Sequence, residues 1–159
     1  MTGAPLNTAT PIFVAPDRIF LSSGIGAALL RVARQDAGFH VRIVWESHQM
    51  RADVNTGLSL GGHIYGFDRS TLKALDVENG EVKWSARGFQ RGSLIAADGH
   101  LIVLGESGNL ALADAKPDAF TEKGSAKILQ GKNWTTPTLA GGRLYLRNHD
   151  ELVCLNVGA

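Results

Sequence analysis

This chain has a single cysteine, no long apolar run and no excess of either charge, and each of these features excludes a class of protein. The single cysteine, Cys154, rules out an intrachain disulfide, and its place in an apolar run predicts a buried thiol. No apolar stretch approaches the ~18 residues of a membrane-spanning helix. The first ten residues lack a basic segment followed by an apolar one, so we expect no export signal in this sequence. The 16 basic and 15 acidic side chains nearly cancel, and no net field favours nucleic acid.

Enzyme signatures are absent as well. The sequence contains no nucleophile elbow, no phosphate-binding loop and no H-E-x-x-H motif. His48 and His149 lack the close-spaced companion ligands that a metal site requires. We therefore assign neither a catalytic residue nor a metal site from the sequence.

Glycine, by contrast, is abundant, and it falls at turns within a repeated phrase. The chain has 19 glycines in 159 residues. The phrase is an apolar run, a tight turn and an apolar or aromatic pair, and its copies are FVAPDRIF (13–20), LGGHIY (60–65), ADGHLI (97–102) and AGGRLY (140–145). The anchors Ile19, Ile64, Leu101 and Leu144 stand 37 to 45 residues apart. Short strands at that period are typical of β-propeller blades.

The repeat predicts an all-β fold: about four blades of antiparallel four-stranded sheets, forming half of a seven- or eight-bladed β-propeller. The blades are expected at residues 10–47, 48–86, 87–130 and 131–159, within one domain covering 1–159. The last blade lacks its outer strand. Residues 27–34 are also compatible with a helical turn, since Ala and Leu favour helix, but the repeat frame predicts a strand there.

Residues 74–84, ALDVENGEVKW, are similar to the tryptophan-docking motif A-x-D-x-x-T-G-x-x-x-W of quinoprotein-type propellers, with Asn79 in place of Thr. The chain further resembles the C-terminal half of PQQ-binding-like β-propeller repeat proteins at residues 55–56, 63–68, 134–137 and 143–149. The resemblance implies that an indole closes each outer strand and packs on the next blade. It assigns structural docking roles to Ala74, Asp76, Gly80, Trp84 and Trp45, with Leu129 in the third position.

Propeller topology brings the loops that enter the first strand and the loops between strands two and three to one mouth of the channel. These loops carry the candidate ligand-binding residues, which are His48, Arg51, Asn55, Arg91, Lys132, Trp134, Arg147, Asn148 and His149. Their four cations indicate an anionic or carbohydrate-like ligand, or a protein partner. The alternative is an ordinary solvated entrance. Trp134 either caps the channel or stacks on a ligand.

Three functions agree with this sequence. The leading interpretation is a non-catalytic propeller module that binds a ligand or protein at the mouth. The second is a fragment of a PQQ-dependent-type oxidoreductase without its catalytic blades, and the third is a structural assembly scaffold. The resemblance implies that a PQQ-dependent dehydrogenase stacks two adjacent cysteines on its quinone cofactor. This chain has one cysteine, so we expect no cofactor, and PQQ with calcium is implied only by the resemblance. The resemblance also implies a periplasmic or secreted location.

An open arc of blades exposes the apolar faces of its first and last sheets, which predicts self-association. Two copies related by a two-fold axis would close a ring of about eight blades. Residues 1–10 of one copy are candidates for the missing outer strand of the other. The alternative is closure by further blades of a longer chain.

Overall fold

A computed structural model describes residues 8–36, 38–52 and 54–158. Within these ranges the chain forms fifteen strands and no helix. The strands of sheets 1 and 2 are β1 Ile12–Val14, β2 Arg18–Ser22, β3 Ala27–Gln35, β4 Gly38–Ser47, β5 Leu58–Leu60, β6 His63–Asp68, β7 Thr71–Asp76 and β8 Val82–Ala86. Those of sheets 3 and 4 are β9 Ser93–Ala97, β10 His100–Leu104, β11 Asn109–Asp114, β12 Glu122–Lys127, β13 Thr138–Ala140, β14 Arg143–Arg147 and β15 Leu152–Asn156.

All four sheets are antiparallel and ordered as in the chain, three with four strands and the last with three. The predicted fold is therefore confirmed, including the incomplete fourth sheet. Ala27–Gln35 is a strand rather than a helical turn. No membrane-spanning helix is found among the described residues. The proposed strand exchange by residues 1–10 falls mostly on positions 1–7, which lie outside the described residues.

The first hairpin of sheets 2, 3 and 4 turns on the dipeptides that marked the repeat. Gly61 and Gly62 both have positive φ, at 58° and 77°, and so do Asp98 and Gly99, at 47° and 73°. Two consecutive left-handed residues match the right-handed twist of the flanking strands. This turn chemistry is local, and it explains why the repeat was visible in the sequence.

Successive sheets are joined by apolar clusters, each shared by two neighbours. Phe20 and Leu29 of sheet 1 pack with Ile64 and Leu75 of sheet 2. The opposite face of sheet 2 packs on sheet 3, and sheet 3 packs in turn on Leu144 and Leu146 of sheet 4 through separate clusters. Alternate residues along each strand therefore contact the preceding and the following sheet.

Side-chain hydrogen bonds to backbone carbonyls also link each sheet to the next. The Ser22 hydroxyl donates to the carbonyl of Met50 over 2.6 Å. The Asn55 amide donates to the carbonyl of Gly92 over 2.9 Å, and the Ser93 hydroxyl to that of Thr135 over 2.9 Å. These bonds lie at the end of the sheets that carries the candidate site.

Two tryptophans face the sheet that follows their own. Trp45 Nε1 donates to the carbonyl of Val77 over 2.9 Å, and Trp84 Nε1 donates to that of Lys116 over 2.8 Å. In the turn between β7 and β8, Asp76 Oδ1 accepts from the backbone N–H of Glu78. The expected third member of this set, Leu129, does not occupy the equivalent position. It lies beyond the end of β12 and packs in the cluster of sheets 3 and 4.

The two outermost sheet faces differ in character. A row across sheet 1, Phe13–Ile19–Leu30–Ile43, points away from sheet 2. Phe39 continues this surface along β4 and is 73% exposed. The corresponding face of sheet 4 carries Cys154, which is exposed because the alternating residues of β15 pack on sheet 3 instead. The expectation of a buried thiol was therefore wrong.

Candidate functional site

Glu106 lies at the centre of the candidate site, in the loop between β10 and β11. Its Oε1 accepts a hydrogen bond from Trp134 Nε1 over 2.9 Å and lies 3.9 Å from Lys132 Nζ. Lys132 Nζ lies 3.6 Å from the centroid of the Trp134 ring, which is a cation–π contact. The backbone N–H of Arg91 donates to Oε2 over 3.4 Å. One carboxylate thus connects loops from three places in the chain.

Asn133 holds the loop between β12 and β13 against the loop that carries Glu106. It is buried, its backbone N–H donates to the carbonyl of Glu106 over 2.7 Å, and its side-chain amide donates to the same carbonyl over 3.2 Å. Gly108, with φ at 90°, packs so closely that a Cβ would meet the carbonyl oxygen of Leu129 at 2.1 Å. The loop that presents Lys132 and Trp134 is therefore held by backbone contacts as well as by Glu106.

Beside this cluster lies an open cavity of about 350 Å³ between the β12–β13 and β14–β15 loops. Its lining residues are Lys132, Trp134, Thr135, Arg147, Asn148 and His149. The Trp134 side chain is 41% exposed. Thr135 donates its hydroxyl to the carbonyl of Arg147, which ties the two loops together. The cavity therefore has one aromatic wall, two cations and a tethered rim.

Asn148 organises the β14–β15 loop rather than offering free polar atoms. Its Oδ1 accepts from the backbone N–H groups of Asp150 and Glu151, at 2.8 and 2.9 Å. Its amide donates to the carbonyl of Gln130. Asn148 is thus a support for Arg147 and His149, although it also lines the cavity.

Arg51 takes part in a buried ion cluster. Its guanidinium donates to the Asp68 carboxylate from Nε over 2.7 Å and from Nη2 over 3.1 Å, and Lys73 Nζ lies 2.6 Å from the same carboxylate. Burial alone would raise the pKa of Asp68, but the hydrogen bonds from Arg51 and Lys73 outweigh it and hold the pKa below its ordinary value. The charge of Arg51 is therefore largely matched within the protein.

His48 and Asn55 lie apart from the Trp134 cavity. His48 Nδ1 is 2.9 Å from the carbonyl of Ile25, and its ring lines a different cavity, of about 580 Å³, next to β2 and β3. Asn55 is buried in its bond to Gly92. The structure thus brings five of the predicted residues to one cavity: Lys132, Trp134, Arg147, Asn148 and His149. Arg91 joins them through Glu106.

Glu106 and Asp68 were not predicted as ligand-binding residues, although Glu106 lies on one of the loops assigned to the mouth, and they hold the predicted cations in place. Asp68 is the last residue of β6, and Glu106 lies in the loop between β10 and β11, so both are found where the second strand of a sheet turns into the third. Each accepts the backbone N–H of a residue in the preceding loop, Arg51 for Asp68 and Arg91 for Glu106. Asp68 lies four residues after the anchor Ile64, and Glu106 lies five after the anchor Leu101. Because the two spacings differ, the repeat alone does not identify these residues as a pair.

The described residues do not fit a calcium site of the kind that accompanies PQQ. Among them, no three His, Cys, Asp or Glu side chains are grouped closely enough to hold a metal ion. Asp68 and Glu106, two of the carboxylates at this end of the sheets, are instead bonded to Arg51, Lys73 and Trp134. These two carboxylates are therefore already engaged within the protein.

The chain matches no protein-family model and no curated protein. Its fold resembles solved structures. BamB from Moraxella catarrhalis is 18% identical with a TM-score of 0.73, and the match covers 94% of this chain and 46% of that one. The computationally designed Ika4 protein is 11% identical with a TM-score of 0.70, covering 99% and 94%. A europium-containing methanol dehydrogenase is 15% identical with a TM-score of 0.60, covering 79% and 25%.

These likenesses show the fold: the chain consists of β-propeller blades. It spans about half the length of BamB and a quarter of the methanol dehydrogenase. It matches nearly the whole of the Ika4 chain.

Proposed function

We propose that this chain is a non-catalytic propeller module that binds an acidic saccharide in the Trp134 cavity. The observation that carries the proposal is the half-exposed Trp134 ring, which Glu106 holds at the wall of a cavity lined also by Lys132 and Arg147. The apolar C–H face of a sugar packs well on an indole. A carboxylate on that sugar would lie within the field of the two cations.

The arrangement favours a charged sugar over a bare anion. The carboxylate of Glu106 lies beside Lys132 and lowers the net positive charge of the site. A small anion without a ring would therefore gain little here. A ring that stacks on Trp134 adds apolar contact, which does not depend on the charge balance.

Binding of galacturonate and galactose oligomers of equal length tests this proposal. We expect saturable heat release by calorimetry with the acidic oligomer, and binding at least about tenfold weaker with the neutral one, a difference of ~1.4 kcal/mol. Raising the salt concentration should weaken only the acidic oligomer. Equal binding of both, or of neither, would overturn the proposal.

Two variants locate the site. Trp134→Ala should abolish binding of both oligomers, and Arg147→Ala should remove the preference for the acidic one. Arg143→Ala is the matched control, because Arg143 is also exposed but lies at the other end of β14, away from the cavity. A loss of affinity in Arg143→Ala as large as that in Arg147→Ala would argue against this cavity.

A second candidate function, a scaffold that assembles with further blades, is favoured by the apolar outer face of sheet 1. Phe13, Phe39, Val41 and Ile43 are each more than half exposed there. The match also covers nearly the whole of the Ika4 chain, so in that designed protein a unit of this size is a chain by itself. Closure of a ring by a second copy remains a proposal, as does a periplasmic or secreted location. An oxidoreductase fragment has only the resemblance of the repeat in its favour.

A further inference from the structure

Sheets 1, 2 and 3 share a β-bulge at the same place between their third and fourth strands. The register shifts between Leu29 and Leu30, between Ala74 and Leu75, and between Leu112 and Ala113. Next to each bulge, one residue of the fourth strand pairs with the third strand, and its side chain position faces the following sheet. That residue is Trp45 in sheet 1, Trp84 in sheet 2 and Gly124 in sheet 3.

Gly124 leaves empty the place that an indole fills in the two earlier sheets. A Cβ at Gly124 would meet no atom within 4 Å. Its neighbour Leu112 is 41% exposed, whereas the equivalent Leu29, next to Trp45, is fully buried. In sheet 1, Leu29 and Trp45 lie side by side. The equivalent Leu112 therefore does not occupy the space beside Gly124 that an indole would fill.

A cavity of about 440 Å³ lies at this point, between sheets 3 and 4. Its walls are mainly apolar and include Ile102, Leu112, Leu139 and Leu144. We call this cavity the sheet 3–4 slot.

Val157 lies at the far side of the slot. Its place in sheet 4 corresponds to that of Val77 in sheet 2, whose carbonyl accepts the hydrogen bond from Trp45. The backbone N–H of Val157 donates to the carbonyl of Gly142 over 2.8 Å. That of Val77 donates in the same way to the carbonyl of Gly62 over 3.0 Å, and the Val77 carbonyl accepts from Trp45. The slot thus repeats the apolar walls and the position of the backbone acceptor that Trp45 uses, whereas Trp84 bonds the carbonyl one residue farther along its loop.

We propose that the sheet 3–4 slot binds a tryptophan side chain of a partner protein. The two filled positions in the same chain define what fits: a flat apolar ring with one N–H donor at its edge. The three tryptophans of this chain are already bonded, to Val77, Lys116 and Glu106, so the occupant comes from another molecule and not from a second copy. This site is separate from the Trp134 cavity and stands independently of the saccharide.

The peptide Gly-Gly-Trp-Gly-Gly is the probe, with Gly-Gly-Leu-Gly-Gly as its matched control. Titrated into the ¹⁵N-labelled chain, the tryptophan peptide should give saturable shifts of the amide signals of Leu112, Gly124 and Ser125. We expect the leucine peptide to bind about tenfold more weakly, because an indole adds ring contacts and a donor. N-acetyltryptophanamide is a third arm: binding tighter than that of the peptide would point to a free indole ligand and overturn a protein partner.

Gly124→Trp should fill the slot from within, abolish peptide binding and raise the melting temperature. Leu139→Lys is a second variant, placed at a partly exposed position that the fold tolerates, and it should also abolish binding. Leu60→Lys, equally exposed on β5 and outside the slot, should bind as the original chain does. Shifts clustered elsewhere, or binding that survives both Gly124→Trp and Leu139→Lys, would overturn the proposal.

Discussion

Gly80 lies directly against the indole of Trp45: a Cβ at position 80 would approach Trp45 Cε3 to 2.9 Å. The glycine belongs to the turn between β7 and β8 of sheet 2, and the tryptophan to β4 of sheet 1. Its φ of 73° is a second reason for glycine at this position. One residue therefore meets a demand of its own turn and a demand of the neighbouring sheet.

Gly80→Ala is expected to lower the free energy of unfolding by about 2–4 kcal/mol, through backbone strain and overpacking against Trp45. Gly61→Ala is the matched control: Gly61 also has positive φ, but a Cβ there meets no atom within 4 Å. It should cost only the strain, about 1–2 kcal/mol. Urea unfolding measures both. Equal losses in the two variants would mean that the contact with Trp45 has no energetic weight.

Trp84→Ala is expected to cost about 3–5 kcal/mol, the usual range for removing a large buried aromatic side chain. The ring lies 5.9 Å from that of Tyr65 and 5.5 Å from that of Phe120, centroid to centroid, so its loss opens a gap between sheets 2 and 3. Trp134→Ala is the control on a half-exposed ring and should cost much less. A loss below about 1 kcal/mol for Trp84→Ala would contradict an interlocking role between the sheets.

Asp68→Asn is expected to cost about 3 kcal/mol near pH 7, because it removes the negative charge that pairs with the buried Lys73 ammonium and leaves only neutral groups, such as the Gln49 amide, beside it. The cost should depend on pH. The pKa of Asp68 is lower in the folded chain than its ordinary value of about 3.9, so the unfolded chain takes up the proton first. The stabilisation is complete well above pH 4 and is lost as the pH falls toward the folded pKa.

Urea titrations of both proteins at several pH values between 7 and 3 test this behaviour. The difference between the original chain and Asp68→Asn should shrink as the pH is lowered. A difference that stays constant over this range would show that Arg51 and Lys73 do not lower the pKa of Asp68 in the folded chain.

Self-association is expected through the outer face of sheet 1. Light scattering should give about twice the chain mass of 17.0 kDa, since a monomer would leave this apolar surface in water. Phe39→Ser should shift the equilibrium toward the monomer, and Val82→Ser, on an exposed site of sheet 2, should not. A monodisperse monomer of the unmodified chain would rule out the paired ring.

The sheets could be predicted from the sequence because each hairpin turn is encoded locally. Gly61-Gly62, Asp98-Gly99 and Gly141-Gly142 set both the turn and the repeat. The third tryptophan position could not be predicted. Gly124 follows the end of β11 at Asp114 by ten residues, whereas Trp84 follows the end of β7 at Asp76 by eight, and only the paired bulges reveal the correspondence. The predicted residue, Leu129, lies five positions beyond Gly124 and outside β12, because an apolar side chain in the sequence does not by itself report strand register.

The candidate site was predicted in outline only. Loop topology was sufficient to group Lys132, Trp134, Arg147 and His149, because the order of the strands alone places the loops that carry them at the same end of the sheets. Charge pairing was not accessible in the same way. Arg51 meets Asp68 across 17 positions of the chain, and Trp134 meets Glu106 across 28. Such contacts depend on side-chain direction in the folded loops, which composition and spacing do not contain.

Each apolar cluster belongs to two adjacent sheets, and this has a consequence for cooperativity. Stability in such an arrangement is approximately the sum of unit and nearest-neighbour contributions, so the chain need not open all at once. Sheet 4 has three strands and shares a cluster with sheet 3 alone. Its amides should therefore exchange with solvent before those of β6 and β7, which lie between two clusters, and the sheet 3–4 slot would be the first boundary to loosen.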